Sequence, residues 1–350
     1  MPFFTQGESN HMFQQILQKV INKSDLTAVE AGHVLETLMK KASSVQTASF
    51  LTALTIKGET SQEIAGFVRV MRKNMLTIKA PANAIDVCGT GGDGKRTYNI
   101  STAVAFVVAG VGLPVVKHGN RAASSKSGSA DVLEALGVTI SLSPKQAESV
   151  LNKTGMVFLF APLYHPSMKQ VAIVRKELKI PTVFNILGPL ANPAGVKYQL
   201  IGVSGDGVAE KLLPVVKALG YKRLGIVVSD EGFDEVGLSK DSHLYLLEGK
   251  RLKEITIHPQ KLGFVKADVT SLQGNDPKTN AKLIEQVLSG AKGPKRDIVV
   301  LNAAVALYIA GKAKSIQEGV LQAQASIDSG KALMSLENLR RETKKYESKN

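Results

Sequence analysis

Short apolar runs at 84–88, 113–117, 137–141, 156–160, 199–203 and 223–229 alternate with stretches whose apolar residues recur at helical spacing. A strand that is followed by a helix before the next strand needs a crossover connection. Repeated crossovers build a mainly parallel sheet covered on both faces. The alternation begins only at Ala84. Before it, residues 1–77 read as all-helical, with Ser/Thr-x-x-Glu/Gln capping boxes at Thr27–Glu30, Ser43–Gln46 and Thr60–Glu63. Helices are expected over 9–22, 28–41, 44–56 and 61–76, with Met12, Ile16 and Val20, then Val34, Leu35 and Leu38, at the spacing of one buried face. The expected class is α/β: a small all-helical N-terminal domain and a larger α/β domain with a mainly parallel central sheet. A chain of 350 residues has room for both.

Further along, Ser143-Pro144-Lys-Gln146 reads as a helix start, with proline where a missing N–H costs nothing. Residues 243–257 read as a hairpin turning at Glu248-Gly249-Lys250. The C-terminal third returns to helices at about 276–289, 296–311, 315–329 and 331–346. No internal repeat or low-complexity linker occurs.

Chemistry concentrates in two polar loops. Asp86 to Thr102 reads DVCGTGGDGKRTYNIST: an apolar strand to Cys88, glycines at 89, 91, 92 and 94, and a helix resuming at Ile100. A glycine-lined turn into a helix start gathers backbone N–H groups and the positive helix end, which suits a phosphate. Gly89-x-Gly91-x-x-Gly94 matches the dinucleotide fingerprint, but Lys117-His118 stands where that fingerprint needs an acidic residue for a ribose. Gly89 to Lys95 also fits the opening of a nucleotide P-loop, but Arg96 replaces the Ser or Thr that would hold magnesium. The second loop, Lys117 to Asp131, follows the apolar run Pro114-Val-Val. It carries Lys117, Arg121 and Lys126 and the serines 124, 125, 127 and 129, opposed only by Asp131. Two anion-suited loops at the carboxyl ends of strands point to a ligand with more than one phosphate group.

Gly89-Thr-Gly-Gly-Asp-Gly94, Asn99-Ile-Ser-Thr102 and Lys117-His-Gly-Asn-Arg121 with Ser124-Ser125 closely resemble the anthranilate phosphoribosyltransferases. The resemblance continues through Ser129-Ala-Asp131, His165-Pro-Ser-Met-Lys169, Arg175, Phe184-Asn-Ile-Leu-Gly-Pro-Leu190 and Asp234-Glu235. It implies the nucleoside phosphorylase/phosphoribosyltransferase fold. It also implies transfer of phosphoribose from phosphoribosyl pyrophosphate to anthranilate, in tryptophan biosynthesis. In such enzymes a middle segment, around 167–187 here, crosses back to the helical domain, dividing the chain into 1–77 with 167–187, and 78–166 with 188–350. The active site then lies between the domains, within one chain.

The residues that the resemblance assigns to the donor are Gly89, Gly92 and Asp93 of the first loop and Thr97, Asn99, Ile100, Ser101 and Thr102 at the helix start. From the second loop come Lys117, His118, Gly119, Asn120, Arg121, Ala122, Ala123, Ser124, Ser125 and Ser129. Anthranilate falls to Gly89, Asn120 and Arg175, whose planar fork suits a carboxylate. Magnesium, two ions per subunit, falls to Asp234, Glu235 and Ser101, hard oxygen donors for a hard cation. Asp230 and Glu231, four residues earlier, are left out of the set. No residue is assigned as a covalent catalyst; His118 is the candidate proton acceptor, and His165 lines the inferred aryl entrance. The resemblance also implies a homodimer joined through 1–77, a region with apolar helical faces and no chemistry.

Composition narrows the alternatives. The single cysteine excludes a disulfide framework, suits a reducing compartment, and closes an apolar strand as a core residue would. The N-terminus lacks a charged segment followed by an apolar one, and Ile100–Val116 is broken by Gly110, Gly112 and Pro114, so a cytoplasmic protein without a membrane span is expected. The net charge of +14 would attract nucleic acid non-specifically, but no nucleic-acid module is legible and five cations lie in the last eleven residues. A basic pocket for a polyanionic substrate accounts for part of the rest. A pyrimidine nucleoside phosphorylase lacks support because its Lys-x-Ser-x-Arg-Gly segment is missing. A non-catalytic nucleic-acid-binding relative would have lost the substrate motifs retained here. A nicotinamide dehydrogenase fails at Lys117.

Overall fold

The computed structural model describes residues 6–122 and 126–347, the side chains of 6–10 excepted. Four helices come first: α1 (Gln6–Ile21), α2 (Ala28–Lys40), α3 (Ser44–Lys57) and α4 (Ser61–Asn74). The three capping boxes that start α2, α3 and α4 all form, each with the N-cap hydroxyl accepting from the third backbone N–H and the Glu or Gln reaching back. Glu63 does more than cap: its buried carboxylate also accepts from the Leu26 N–H at 2.9 Å and pairs with Lys57 Nζ at 3.0 Å, tying α3 and α4 to the connection between α1 and α2.

Then follow β1 (Ile85–Gly89), α5 (Ile100–Gly110), β2 (Val115–Gly119), α6 (Ser129–Ala135), α7 (Pro144–Thr154) and β3 (Met156–Phe160). The middle segment holds α8 (Ala161–Tyr164), α9 (Lys169–Leu178) and α10 (Phe184–Leu187). The sheet resumes with β4 (Tyr198–Val203), α11 (Asp206–Ala218), β5 (Arg223–Ser229) and the hairpin β6 (Ser242–Glu248) and β7 (Arg251–Ile257). The chain closes on α12 (Pro277–Leu288), α13 (Pro294–Ile309), α14 (Ile316–Asp328) and α15 (Lys331–Lys344).

The seven strands order as β3-β2-β1-β4-β5-β6-β7, parallel from β3 through β5 and antiparallel across the hairpin. Alternating side chains on β4 and β5 enter two different cores. Leu200 and Val227 face the cluster built on α5, α13 and α15. Ile201, Val203, Leu224, Ile226 and Val228 face a second cluster that takes in Phe50, Phe67 and Val68 of the helical bundle and Leu212 of α11. The bundle is thus packed on one face of the sheet. Within the middle segment, α9 lies against α2 and α3. Among the described residues no helix is long and apolar enough to cross a membrane.

One expected strand is absent. Residues 137–141 form no ladder, although Val138, Ile140 and Leu142 are buried in the alternation a strand would show. Both edges of β2 are already filled, by β1 and β3. The backbone here bonds elsewhere: Val138 N–H to Leu133 O at 2.9 Å and Thr139 N–H to Thr343 Oγ1 at 3.1 Å.

Candidate active site

Three loops meet at the carboxyl edge of β1, β2 and β5, the edge where open α/β sheets place ligands. The glycine loop leaves β1 with Gly91, Gly92 and Gly94 all at positive φ, a path that a Cβ would strain. Its far end is pinned by Tyr98 N–H to Leu272 O at 3.0 Å and Gly274 N–H to Arg96 O at 3.0 Å, beside a bridge between Thr97 and Gln273. Asn99 precedes α5 but does not cap it. Its amide instead joins the two loops, donating to Ser127 O at 3.0 Å and accepting from Ser127 Oγ at 3.1 Å. The free helix end is faced from the third loop by Glu235, whose carboxylate feels the Ser101 N–H as a weak stabilising influence against its burial.

Asp234 nests against two paired glycines. Its Oδ2 accepts from the Gly91 N–H at 2.7 Å, and a Cβ on Gly89 would stand 2.0 Å from that same oxygen. On the neighbouring strand a Cβ on Gly202 would stand 1.6 Å from the Asp234 carbonyl oxygen. Sequence reasoning missed Gly202; a glycine inside a strand run, marking close backbone approach, was its signal. Burial and the nearby Asp93 carboxylate push Asp234 up to about 7, and burial with Asp234 beside it pushes Glu235 well above the usual carboxylate range. Asp230 and Glu231 do other work. Asp230 pairs with His243 at 3.3 Å, and Glu231 accepts from Ser239 N–H at 2.8 Å.

Beneath the loops Lys117 is buried, its Nζ donating to Val87 O at 2.6 Å and Ser101 Oγ at 3.2 Å. His118 is buried too. Its Nδ1 lies 3.2 Å from Gly188 O, so that nitrogen carries the proton, and Nε2 has no partner among the described residues. The His165 ring stands 5.2 Å away with its Nε2 at 3.1 Å from Ala191 O. Burial lowers His118 to about 3 and His165 to about 4, so both are neutral. Thr102 Oγ1, at the same sheet edge, is another buried polar atom without a partner among the described residues.

Asp131 shapes the second loop, accepting from Ala122 N–H and Gly128 N–H at 2.9 Å each. Arg121 is committed to Asp131 and Glu134 and lies over the Phe160 ring. Ser129 Oγ bonds to Asn120 O at 3.3 Å, and a Cβ on Gly119 would stand 2.2 Å from that hydroxyl. Ala123, Ser124 and Ser125 lie outside the described residues. Arg175 stands on α9, largely buried, 5.0 Å over the Phe184 ring, with no ion pair or hydrogen bond to its guanidinium among the described residues. It is not joined by any such bond to the loops.

The chain matches a family model described as glycosyl transferase family, a/b domain, over residues 81–333, and its companion helical bundle domain over residues 14–75. Fold and site thus define a glycosyltransferase of the bundle-plus-sheet kind. The anthranilate phosphoribosyltransferase of Methanocorpusculum labreanum is 47% identical over 331 residues, 94% of this chain and 97% of its own. A crystal structure of the Thermus thermophilus enzyme of that name superposes with a TM-score of 0.87 at 38% identity, covering 94% of this chain and 99% of that one. The Saccharomyces cerevisiae enzyme in complex with PRPP and Mg superposes at 0.88 with 28% identity, covering 96% and 99%. The chain belongs to the anthranilate phosphoribosyltransferase family, and so is a pentosyl-transferring enzyme.

Proposed function

We propose that this chain transfers phosphoribose from 5-phosphoribosyl 1-pyrophosphate to the amine of anthranilate, giving N-(5-phosphoribosyl)anthranilate and pyrophosphate for tryptophan biosynthesis. One observation carries the reading: in a chain of this family, a glycine loop, a basic loop and a carboxylate pair are hydrogen-bonded to one another at a single sheet edge. The amine nitrogen bonds to the anomeric carbon, the carbon–oxygen bond to pyrophosphate breaks, and the nitrogen gives up a proton. Positive charge builds on the ribose while negative charge builds on the leaving group.

The chain's part is positioning and electrostatics. With the Thr90 and Gly91 N–H groups taken by Gly202 and Asp234, the glycine loop from Gly92 to Gly94 and the N-terminal end of α5 face the donor's phosphates, with Thr97, Asn99, Ser101 and Thr102 as hydrogen-bonding groups. Lys117 supplies a fixed buried cation below them. Gly119, Asn120, Ala122 and Ser129 hold the second phosphate-facing wall, and Arg121 acts through the loop it ties to Asp131 and Glu134. His118 Nε2 is a weak base, and that is sufficient, because the nitrogen of an arylamine becomes strongly acidic once alkylated.

Asp234, Glu235 and Ser101 suit Mg²⁺. Asp93, Asp234 and Glu235 repel one another at a half-buried site, and a divalent cation would relieve that repulsion. Among the described residues no trio of His, Cys, Asp or Glu is arranged to hold an ion alone, and in this reading pyrophosphate oxygens would complete the coordination of the two ions it assigns. When bound, the metal neutralises the leaving pyrophosphate. Arg175, unpaired and stacked on Phe184, takes the anthranilate carboxylate, with Gly89 and Asn120 nearer the amine.

The reading places the domain division at 1–77 with 167–187, and 78–166 with 188–350, which the packing of α9 on α2 and α3 supports. It also includes a cytoplasmic homodimer joined through the bundle, where Val45 and Ile56 are 75% and 71% exposed. Arg175→Ala tests the aryl half of the reading. Loss of a charge-assisted contact of about 1.5–3 kcal/mol raises KM for anthranilate roughly 10- to 100-fold and leaves KM for the donor near its wild-type value. Equal changes in both constants would assign Arg175 to the fold instead.

A further inference from the structure

The run Gly188–Asn192 makes no strand, and its backbone oxygens are nevertheless held one by one. Gly188 O lies 3.2 Å from His118 Nδ1 on β2. Pro189 O accepts from Gln199 Nε2 on β4 at 2.7 Å. Leu190 O accepts from Arg72 Nε on α4 at 2.7 Å. Ala191 O lies 3.1 Å from His165 Nε2. Asn192 finishes the run, its Nδ2 donating to Asp86 Oδ2 at 2.8 Å and to Val116 O at 2.9 Å. Four successive carbonyls are therefore read by four side chains, three on β2, β4 and α4 and one, His165, just after α8, and two of the four readers are the active-site imidazoles.

The one reader from the helical bundle is Arg72. Its guanidinium makes a second bond, Nη2 to Tyr221 OH at 2.9 Å, and lies 5.6 Å over the Tyr221 ring. Two-point anchoring on a planar fork fixes where Nε sits, and so where the Leu190 carbonyl sits. Gly188–Ala191 form a single 3-10 turn, so the Leu190 carbonyl belongs to the same turn as the Gly188 and Ala191 carbonyls, which select the tautomer and tilt of the two rings.

We propose that Arg72 is a positioning residue for the transfer reaction: by holding the Leu190 carbonyl it sets the Gly188 and Ala191 carbonyls, and through them the orientation of His118 and His165. The helical bundle thereby controls the face of the site on which the aryl amine is received. The proposal rests on the function proposed above, since it takes these rings to line the aryl side.

The test is Arg72→Met in the full chain, read in two independent ways. Long-range ¹⁵N–¹H spectra of histidine-labelled protein report each ring's tautomer without substrate. Wild type is expected to show His118 protonated at Nδ1 and His165 at Nε2. In Arg72→Met both ring patterns move to a mixture of tautomers, and KM for anthranilate rises about tenfold, as loss of one orienting hydrogen bond would give, with donor KM held within about twofold. Arg72→Lys, which keeps the charge but not the fork, falls with Arg72→Met. Tyr221→Phe, a milder change that removes only the second anchor, gives the same ring shifts in part and stands in if Arg72→Met does not fold. Unchanged ring spectra in a folded Arg72 variant, or in Tyr221→Phe if no Arg72 variant folds, would overturn the proposal, leaving Arg72 a stabilising tie. A wild type that shows the expected tautomers but no turnover would count against the function instead.

Discussion

His118 and His165 are the residues whose environment departs furthest from their sequence appearance. Each is buried, neutral and bonded to a carbonyl of one short run. A neutral buried imidazole makes stability depend on pH with a definite sign. In the unfolded chain a histidine takes up a proton near pH 6.5, whereas folded His165 does so only near 4. Below pH 6.5 the unfolded state therefore binds the extra proton, and stability is lost as pH falls until about 4. Raised carboxylates such as Asp86, pushed up to about 6 by burial, act in the opposite sense, so the total is a poor gauge. A difference isolates the ring. Going from pH 7.5 to 5.0, His165→Gln should lose about 2 kcal/mol less unfolding free energy than wild type, measured in urea. Equal losses would mean that the ring is already charged or exposed. The glycine loop, Lys117-His118 and Asp234-Glu235 were legible in the chain, because residue type and order alone mark anion and metal chemistry. Arg72, Gln199 and Asn192 were not, since each acts on a carbonyl or carboxylate reached only through the fold, 118 residues away for Arg72.

At the scale of elements, strand ends and loops are adjusted to one another more tightly than periodicity can express. The β4 strand was expected at 199–203 and stands at Tyr198–Val203, but its glycine at 202 matters for a loop thirty residues on. Gly202→Ala puts a methyl group into the Asp234 carbonyl, and the Asp234–Glu235 loop must move while both sheet cores stay filled. Steady-state kinetics should show kcat/KM for the donor falling about 100-fold, the cost of a displacement near 1 Å, with the far-ultraviolet spectrum unchanged. Donor kinetics like wild type would show that the loop does not need this approach. The absent strand at 137–141 teaches the converse. Val138, Ile140 and Leu142 carry a strand's alternation, yet partners for the backbone decide whether a ladder forms, and here the N–H groups of 138 and 139 are taken by Leu133 and Thr343. The helices fared better because capping boxes mark their first turns locally, as at Thr27, Ser43 and Thr60.

Across the whole molecule, strand–helix alternation and an all-helical opening carry the fold class, and the motifs carry the family. What neither contains is the shared core between the bundle and one face of β4 and β5, which brings Arg72 to the segment beside the active site. The proposed dimer belongs at this scale. Light scattering at micromolar concentration should give twice the 37.4 kDa chain mass, and a single-chain mass with full activity would remove the dimer from the account. The measurement that bears most directly on the central claim is optical. Anthranilate fluoresces and its phosphoribosylated product does so far less, so protein, phosphoribosyl pyrophosphate, Mg²⁺ and anthranilate in one cuvette report transfer as it happens. The expected result is a loss of signal that needs all four components and stops when excess chelator removes the metal. Steady fluorescence with folded protein and all components present, or a loss that chelator leaves unchanged, would contradict it.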